Sequence, residues 1–408
     1  MKALCVLGQP NYGDLARGLG YEYVNFLPAL TQLGYDVTHF ESFDRTPYSD
    51  FADMNRRLLE AVERVQPDLV FCVLMGYEVW TETLDMIRKS SHALLLNWGT
   101  DDDWKYEQYA RFIAPHLDCH ATTYPEALEK ARSDGLNNFR LTQWAASDAA
   151  LAPPLPAAQC RYRVSFIGSA YGNRRDWIQE LRKRGIDVDC FGHGWPNGPV
   201  RARDIPRIMR ESMVSLNFGD SRTQLRGLRP YRSRQMKARV FEVPGAGGFL
   251  LSEHAPRLND YYHLGEEIET FDSKDELAEK IRYYLDRPNV RDRIALAGHE
   301  RTQREHTYGR RFAELLDQAA SLRVAARPLS TPSALVRACF ESHCARHRIT
   351  PPLRLLRALF SVPTRVLFGS RDGPRAACRL LFELSWRLAG AHTYSASGWP
   401  GRLFYRES

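Results

Sequence analysis

Two runs of alternating strand-like and helix-like segments, separated by a proline–alanine stretch, limit the folds open to this chain more than any other feature of it. In the first run Lys2 to Leu7 reads as a buried strand, a glycine-rich loop follows from Gly8 to Gly13, and Tyr21 to Leu33 has helical period ending at Gly34. The pattern continues with strands at Asp36 to Phe40, Leu69 to Leu74 and Ala93 to Asn97, alternating with helices at Asn55 to Val65 and Glu82 to Lys89. His120 to Thr123, Pro125 to Ser133 and Phe139 to Trp144 complete it. Short apolar strands alternating with helices predict an α/β protein with parallel sheets and crossover helices. Ala149 to Ala158, rich in proline and without periodicity, reads as a linker. A second run then begins: strand Tyr162 to Ile167, turn Gly168 to Gly172, helix Asp176 to Arg184, strand Asp187 to Phe191, loop Gly192 to Gly198, helix Ile205 to Glu211 and strand Val214 to Asn217. A helix carrying Glu242, strand Phe249 to Leu251 and helices Lys274 to Leu285 and Val290 to Glu305 close it. The expected domains are 1–150, 151–327 and a basic helical extension at 328–408. Two Rossmann-like halves predict a cleft at the carboxyl ends of their strands, with ligand-binding residues in the loops facing it.

Composition narrows the class. Apolar residues make up 44% of the 408 and charged residues 26%, which describes a soluble globular protein, and no window is long and apolar enough for a spanning helix. The start runs directly into a strand without a signal-peptide core, so a cytoplasmic protein is expected. Eight scattered cysteines without a Cys-x-x-Cys pair read as reduced thiols and argue against a zinc site. Net charge is +7, but residues from Thr331 onward hold twelve arginines against four acids. The body is therefore close to neutral, and the basic character belongs to the tail. This places a nucleic-acid-binding face behind a local anion-binding lobe, even though Arg222, Arg226, Arg229, Arg232 and Arg234, with Tyr231 among them, crowd a glycine- and proline-interrupted loop.

The segment Arg239-Val-Phe-Glu-Val-Pro-Gly-Ala-Gly-Gly-Phe-Leu-Leu-Ser-Glu253 carries the clearest chemical signal. A helix beginning there places Glu242 in its first turn, where a carboxylate complements the positive helix end and can accept two ribose hydroxyl hydrogen bonds. Arg239, three residues earlier, is placed to pair with a diphosphate. Gly245, Gly247 and Gly248 allow close backbone approach. A helix–turn–strand corner with a capping Glu reads equally well from these residues alone. Gly8 to Gly13 lacks the Gly-x-Gly-x-x-Gly register of a dinucleotide site. Asp101, Asp102 and Asp103 imitate a metal-binding Asp-x-Asp, but a two-Rossmann architecture can stabilise a diphosphate with Arg and a helix N-terminus, so no metal is expected.

Several motifs together are familiar. The Arg239 to Leu251 run, Gly265-Glu-Glu-Ile268, Asp275 to Leu285 and Ala297-Gly-His-Glu-Arg301 through Arg311 resemble the C-terminal domain of CgeB-like, spore-maturation-type glycosyltransferases. Asn97 to Trp104, Thr122 to Leu128, Val164 to Ser169 and the pair Arg174-Arg175 match the same group's pattern more loosely. The likeness runs from about residue 1 to 325 and leaves out the tail. It implies the GT-B fold of group 1 glycosyl transferases. It also implies transfer from a nucleotide sugar to a hydroxyl of a glycan, lipid-linked or protein acceptor, as in bacterial polysaccharide biosynthesis, with no resident cofactor. Carried over residue by residue, Glu242 takes the ribose hydroxyls, Gly247 is the glycine five residues beyond, and Arg239 meets the diphosphate. Gly168 and Ser169 offer amides to phosphate with Arg174 close by, His193 or Trp195 borders the base, and Asn217 ends a strand at the same rim. Many retaining relatives place a second glutamate eight residues before the ribose glutamate; Arg234 stands there, which puts a retaining outcome in doubt.

Inverting transfer needs a general base near the acceptor. Asp102 is the first candidate and Asp14 the second, with Glu22 also near the first glycine-rich loop; for any one of them taken singly, a cap or a solvated loop charge is the favoured reading. In the tail, Leu353 to Gly369 and Ala376 to Leu388 mix apolar residues with arginine at helical spacing. They suit either a membrane interface, over 350–390, or a return onto the first domain. A sugar-nucleotide-binding scaffold without catalysis and a sugar-nucleotide epimerase are the competing functional readings.

Overall fold

The computed structural model describes residues 1–44, 46–76, 78–226, 229–322, 333–346 and 350–390, with 393 and 403. The chain forms two compact units, Met1–Gln143 with Ala313–Ser408, and Trp144–Phe312.

In the first unit β1 (Lys2–Leu7), α1 (Tyr21–Gln32), β2 (Asp36–Glu41), α2 (Phe51–Val65), β3 (Leu69–Cys72), α3 (Thr81–Ser90) and β4 (Leu94–Gly99) alternate as expected. Short helical pieces α4 (Asp102–Lys105) and α5 (Arg111–Ile113) precede β5 (Cys119–Thr122), α6 (Pro125–Ser133) and β6 (Phe139–Leu141). The six strands form one parallel sheet in the order β2-β1-β3-β4-β5-β6. All four residues of β3 and all six of β4 are buried, which is why they read as largely apolar runs: helices cover both faces of a parallel sheet. The Asp50 side chain accepts from the Asp53 amide 2.9 Å away, fixing where α2 begins.

The second unit holds β7 (Tyr162–Ile167), α7 (Arg174–Lys183), β8 (Asp189–Phe191), α8 (Ile205–Arg210) and β9 (Ser212–Asn217). A hairpin of β10 (Asp220–Arg226) and β11 (Arg229–Arg234) follows, then α9 (Arg239–Gly245), β12 (Leu250–Glu253), β13 (Glu269–Phe271), α10 (Lys274–Leu285) and α11 (Pro288–Glu305). Five of these strands form a parallel sheet ordered β13-β12-β9-β7-β8. The hairpin corrects the sequence expectation of a loop at 222–234: the two segments pair antiparallel, and an arginine-rich alternation with glycine and proline hides that pairing. The side chains of Arg222, Arg226, Arg229, Tyr231 and Arg232 lie outside the described residues. Ser273 caps α10 by accepting from the Glu276 amide at 3.2 Å.

The proline–alanine stretch packs against the second unit. Gly247 has φ +80° and lies so close to Ala152–Pro154 that an added Cβ would sit 2.5 Å from the Ala152 carbonyl oxygen. The Leu155 carbonyl accepts from Arg291 at 2.9 Å and the Ala157 amide donates to Asp292 at 3.0 Å. This segment is thus docked along much of its length.

His306 is buried beside Phe241, Tyr261 and Tyr262. Arg311 donates to its Nδ1 at 3.0 Å, so the ring is the Nε2–H tautomer and donates to the Tyr261 carbonyl at 2.8 Å. Burial, with Arg311 alongside, pushes its pKa from 6.5 down to about 4. The unfolded chain then binds the proton that the folded chain refuses, so stability rises with pH between those values and is lost on acidification from about 6.5 to 4. The loss expected from this group is roughly 3 kcal/mol. Urea titrations from pH 7 to 4 on the wild type and His306→Gln should diverge by that amount; superimposable curves refute the assignment.

α12 (Tyr308–Leu322) runs from the second unit into the first, and α13 (Ser333–Arg346) packs on α2 and α3. Phe340 stacks on Trp80 with ring centroids 5.7 Å apart, Arg56 pairs with Glu341 at 2.7 Å and Arg337 with Glu63 at 3.0 Å. α14 (Pro351–Ala389) is broken at Gly369, where φ is +80° and ψ 172°.

Candidate functional site

The second unit gathers most of the expected donor residues around the carboxyl end of β7. Glu242 sits in the first turn of α9 and forms an ion pair with Arg239, whose Nε also donates to the Ile167 carbonyl at 3.3 Å. That contact ties the Arg239–Glu242 pair to the last residue of β7, next to Gly168. The Gly168 carbonyl accepts from the Trp195 indole at 2.7 Å, and Arg174 donates to the Ser169 carbonyl at 3.0 Å. Arg174 is buried, with its guanidinium 4.2 Å from the Tyr171 ring centroid. The loops after β7 and β8 are stitched together, the Ala170 amide donating to the His193 carbonyl at 2.8 Å. Gly192 lies so near that a Cβ there would be 2.4 Å from the Gly168 carbonyl oxygen. His193 is exposed at the surface of this turn. A cavity of about 320 Å³ opens beside Trp195, with Arg175, Gln179, Arg182 and Asn197 among its walls.

Two of the expected residues are held by partners within the fold, although Asn217 lies on β9 directly beside β7. Asn217 is buried at the end of β9 and its amide donates to the Ser252 hydroxyl at 2.9 Å. Gly247 serves the packing of 152–154. Sequence reasoning passed over Glu253, the last residue of β12, whose buried carboxylate accepts from the Gly219 amide at 3.0 Å and pairs with Arg234 at 3.4 Å. Arg234 also pairs with Asp272. The arginine that stands eight residues before Glu242 is thus engaged by two carboxylates. The only sequence signal for Glu253 is an acid directly ending an apolar strand.

The acidic candidates of the first unit have different environments. Asp102 and His120 are both buried, with Asp102 Oδ2 3.0 Å from His120 Nε2. His120 Nδ1 lies 3.3 Å from the Asn97 amide, and Asn97 accepts from the Leu74 amide at 3.0 Å. Parallel pairing of β4 and β5 sets Asn97 against His120 and builds this chain. Asp14 accepts from the Ala16 amide at 3.1 Å and pairs with Arg17 at 3.5 Å, the geometry of a turn cap. Glu22 lies in the first turn of α1, half-buried. Burial pushes its carboxyl pKa up, and the negative charge of Asp101 adds to this while Lys105 opposes it. Asp101 and Lys105 pair at 3.7 Å. Among the described residues no group of three or more His, Cys, Asp or Glu is arranged to hold a metal ion. The cysteines are free thiols, most of them buried.

Residues 174–317 match a family model described as glycosyl transferase-like. No curated protein matches the chain. Solved structures resembling it include sucrose-phosphate synthase from Thermosynechococcus elongatus, 13% identical with TM-score 0.54, covering 79% of this chain and 100% of that one. A glycosyltransferase from Rickettsia africae is 10% identical with TM-score 0.53, covering 79% and 98%. HepE from Anabaena, solved with UDP and glucose, is 12% identical with TM-score 0.52, covering 79% and 100%. At these identities the likeness concerns the fold: this is a GT-B chain, built of two parallel-sheet α/β units with a helical extension.

Proposed function

We propose that the protein is a glycosyltransferase of the CgeB-like kind, moving a sugar from a nucleoside-diphosphate donor to a hydroxyl of a glycan, lipid-linked or protein acceptor. The observation that carries the reading is the Arg239–Glu242 pair beside the end of β7, inside the region that matches the glycosyl transferase-like model. Each partner neutralises the other until a donor arrives. Ribose hydroxyls then take Glu242 and the diphosphate takes Arg239, exchanging one charge-assisted contact for several. As the glycosidic bond breaks, its electron pair leaves with the diphosphate, and Arg239 with the amides after β7 stabilises that charge without a metal. UDP and glucose bound to HepE favour a nucleotide sugar as ligand. On this reading the reaction runs in the cytoplasm.

For the proton from the acceptor hydroxyl, Glu22 suits the role best among the acids of the first unit. Asp14 is held by Arg17, and Asp102 is buried against His120. A carboxyl whose pKa is raised is a stronger base than an ordinary one and accepts the proton more readily. Glu22→Gln is expected to lower turnover about a hundredfold or more while leaving nucleotide affinity unchanged. In the wild type the acid limb of kcat/KM should lie above the ordinary carboxylate range, because the rate falls as Glu22 protonates. A limb unmoved by the substitution removes Glu22 from the mechanism.

The decisive assay presents UDP-, GDP-, dTDP- and CMP-sugars to the full chain with product analysis. Release of nucleoside diphosphate with transfer or slow hydrolysis is expected. Tight binding without turnover supports a scaffold instead, and an epimerised sugar nucleotide supports an epimerase.

A further inference from the structure

The two halves of α14 form a helical hairpin. Gly373 lies against the chain at 364–365, where an added Cβ would be 2.5 Å from the Arg365 Cα. Leu353, near the start of the helix, packs on a small cluster of Ala377, Cys378, Leu381 and Phe382 near its end together with Leu403. With Gly369 as the bend, Arg365 and Gly373 stand equally far from it on either side, as antiparallel halves require. In the first half, the residues facing inward are Leu353, Arg357, Ser361 and Thr364, at i, i+4, i+8 and i+11.

The outer side of the hairpin is apolar. Leu355, Leu359, Val362 and Val366 recur at i, i+4, i+7 and i+11 and are 70%, 66%, 56% and 81% exposed. Leu356, Phe360 and Leu367 widen the stripe, and Leu380, Leu384 and Leu388 form an exposed apolar row of their own on the second half. Among the described residues, eleven of the eighteen exposed large hydrophobic side chains of the chain lie on this one helix. A soluble surface rarely concentrates apolar groups in this way without something to cover them. The same helix has seven arginines against two acids in its sequence, and Arg354 and Arg365 are exposed outside the stripe. No described helix is long and apolar enough to cross a membrane.

We infer that the α14 hairpin is a docking surface for an anionic lipid bilayer, lying in the interface with the Leu355–Val366 stripe among the acyl chains and Arg354 and Arg365 among the headgroups. An apolar stripe alone would suit a protein partner equally well; the excess of arginine on the same element selects a negatively charged surface. The hairpin adds width, since two short helices side by side bury more apolar area in the interface than one. The inference concerns the surface alone and stands or falls independently of the transfer reaction.

The test is co-sedimentation of the full chain with phosphatidylcholine vesicles, with and without phosphatidylglycerol. Binding is expected to be at least tenfold stronger with the anionic lipid and to weaken with salt. The triple variant Leu355→Glu, Leu359→Glu, Val366→Glu should bind at least tenfold more weakly with an unchanged far-ultraviolet circular dichroism spectrum. Arg354→Gln with Arg365→Gln should weaken binding about tenfold at low salt while leaving the core of the hairpin intact. Equal partition with both vesicle types, or anionic binding unaffected by both variants, overturns the inference. So does a wild-type dimer that the triple variant converts to monomer without any vesicle binding, which would make the stripe an interface between copies.

Discussion

Glu242→Ala should weaken donor binding at least about a hundredfold in a protein that remains folded. The carboxylate is placed to accept two ribose hydroxyl hydrogen bonds, and hydrogen bonds to a charged group contribute about 1.5–3 kcal/mol each. Losing both therefore costs at least roughly 3 kcal/mol, or about a hundredfold in affinity. The same substitution removes the partner of Arg239. Because the side chains of Arg239 and Glu242 are 22% and 16% exposed, water can solvate the freed guanidinium in part, and the loss of stability should be near 1 kcal/mol. Those two magnitudes separate a binding defect from unfolding. Glu242→Gln keeps an acceptor oxygen for one ribose hydroxyl but loses the charge, so an intermediate weakening of about tenfold is expected. Calorimetric titration of the cognate nucleotide, with a thermal midpoint for each variant, reads both quantities. Wild-type affinity in folded Glu242→Ala sinks the donor-site assignment.

Why the sequence disclosed some of this and hid the rest follows from what each residue contacts. β3 and β4 are buried along their whole length, so their largely apolar runs were plain, and α10 was legible as the helix from Lys274 to Leu285. Arg239 and Glu242 were visible as a pair because three residues on a helix bring side chains together within one element. Their meeting with Ile167 was not, since sheet order brings those segments together across 72 residues. Asp102 sits in a run of three acids, which reads as solvent-facing; His120, delivered by the β4–β5 register, is what holds it inside. Burial of Glu253 is hidden for the same reason, its partners being Gly219 and Arg234. The proline–alanine stretch has a hinge's composition, yet it is packed against Gly247, whose missing side chain permits the close approach. Contacts within an element leave a local pattern, and contacts between elements do not.

Arg291 is the strongest instance, and replacing it should cost more stability than any other single change considered. It reads as a surface charge on α11, but it is fully buried. Its guanidinium donates to the Met213 carbonyl at 2.9 Å, the Ser212 carbonyl at 2.8 Å and the Leu155 carbonyl at 2.9 Å, and it pairs with Asp292 at 3.0 Å. One planar group thereby fastens a helix to the start of β9 and to the proline–alanine stretch. Arg291→Met keeps the volume but leaves three carbonyls without their donor, each worth about 1–3 kcal/mol if it stays dry. Partial hydration at the edge of the stretch lowers the sum to about 4 kcal/mol, which for a unit of this size lowers its Tm by about 8–16 °C. Arg291→Lys retains charge but reaches fewer of the carbonyls, so roughly half that loss is expected. Asp292→Ala should cost far less, because Arg291 keeps its three carbonyls. Urea unfolding orders the variants, and amide exchange at Leu155 and Ala157 reports whether the stretch lifts from Gly247 before the unit unfolds. Arg291→Met with wild-type stability and unchanged exchange there would show that the buried guanidinium does not hold the unit together.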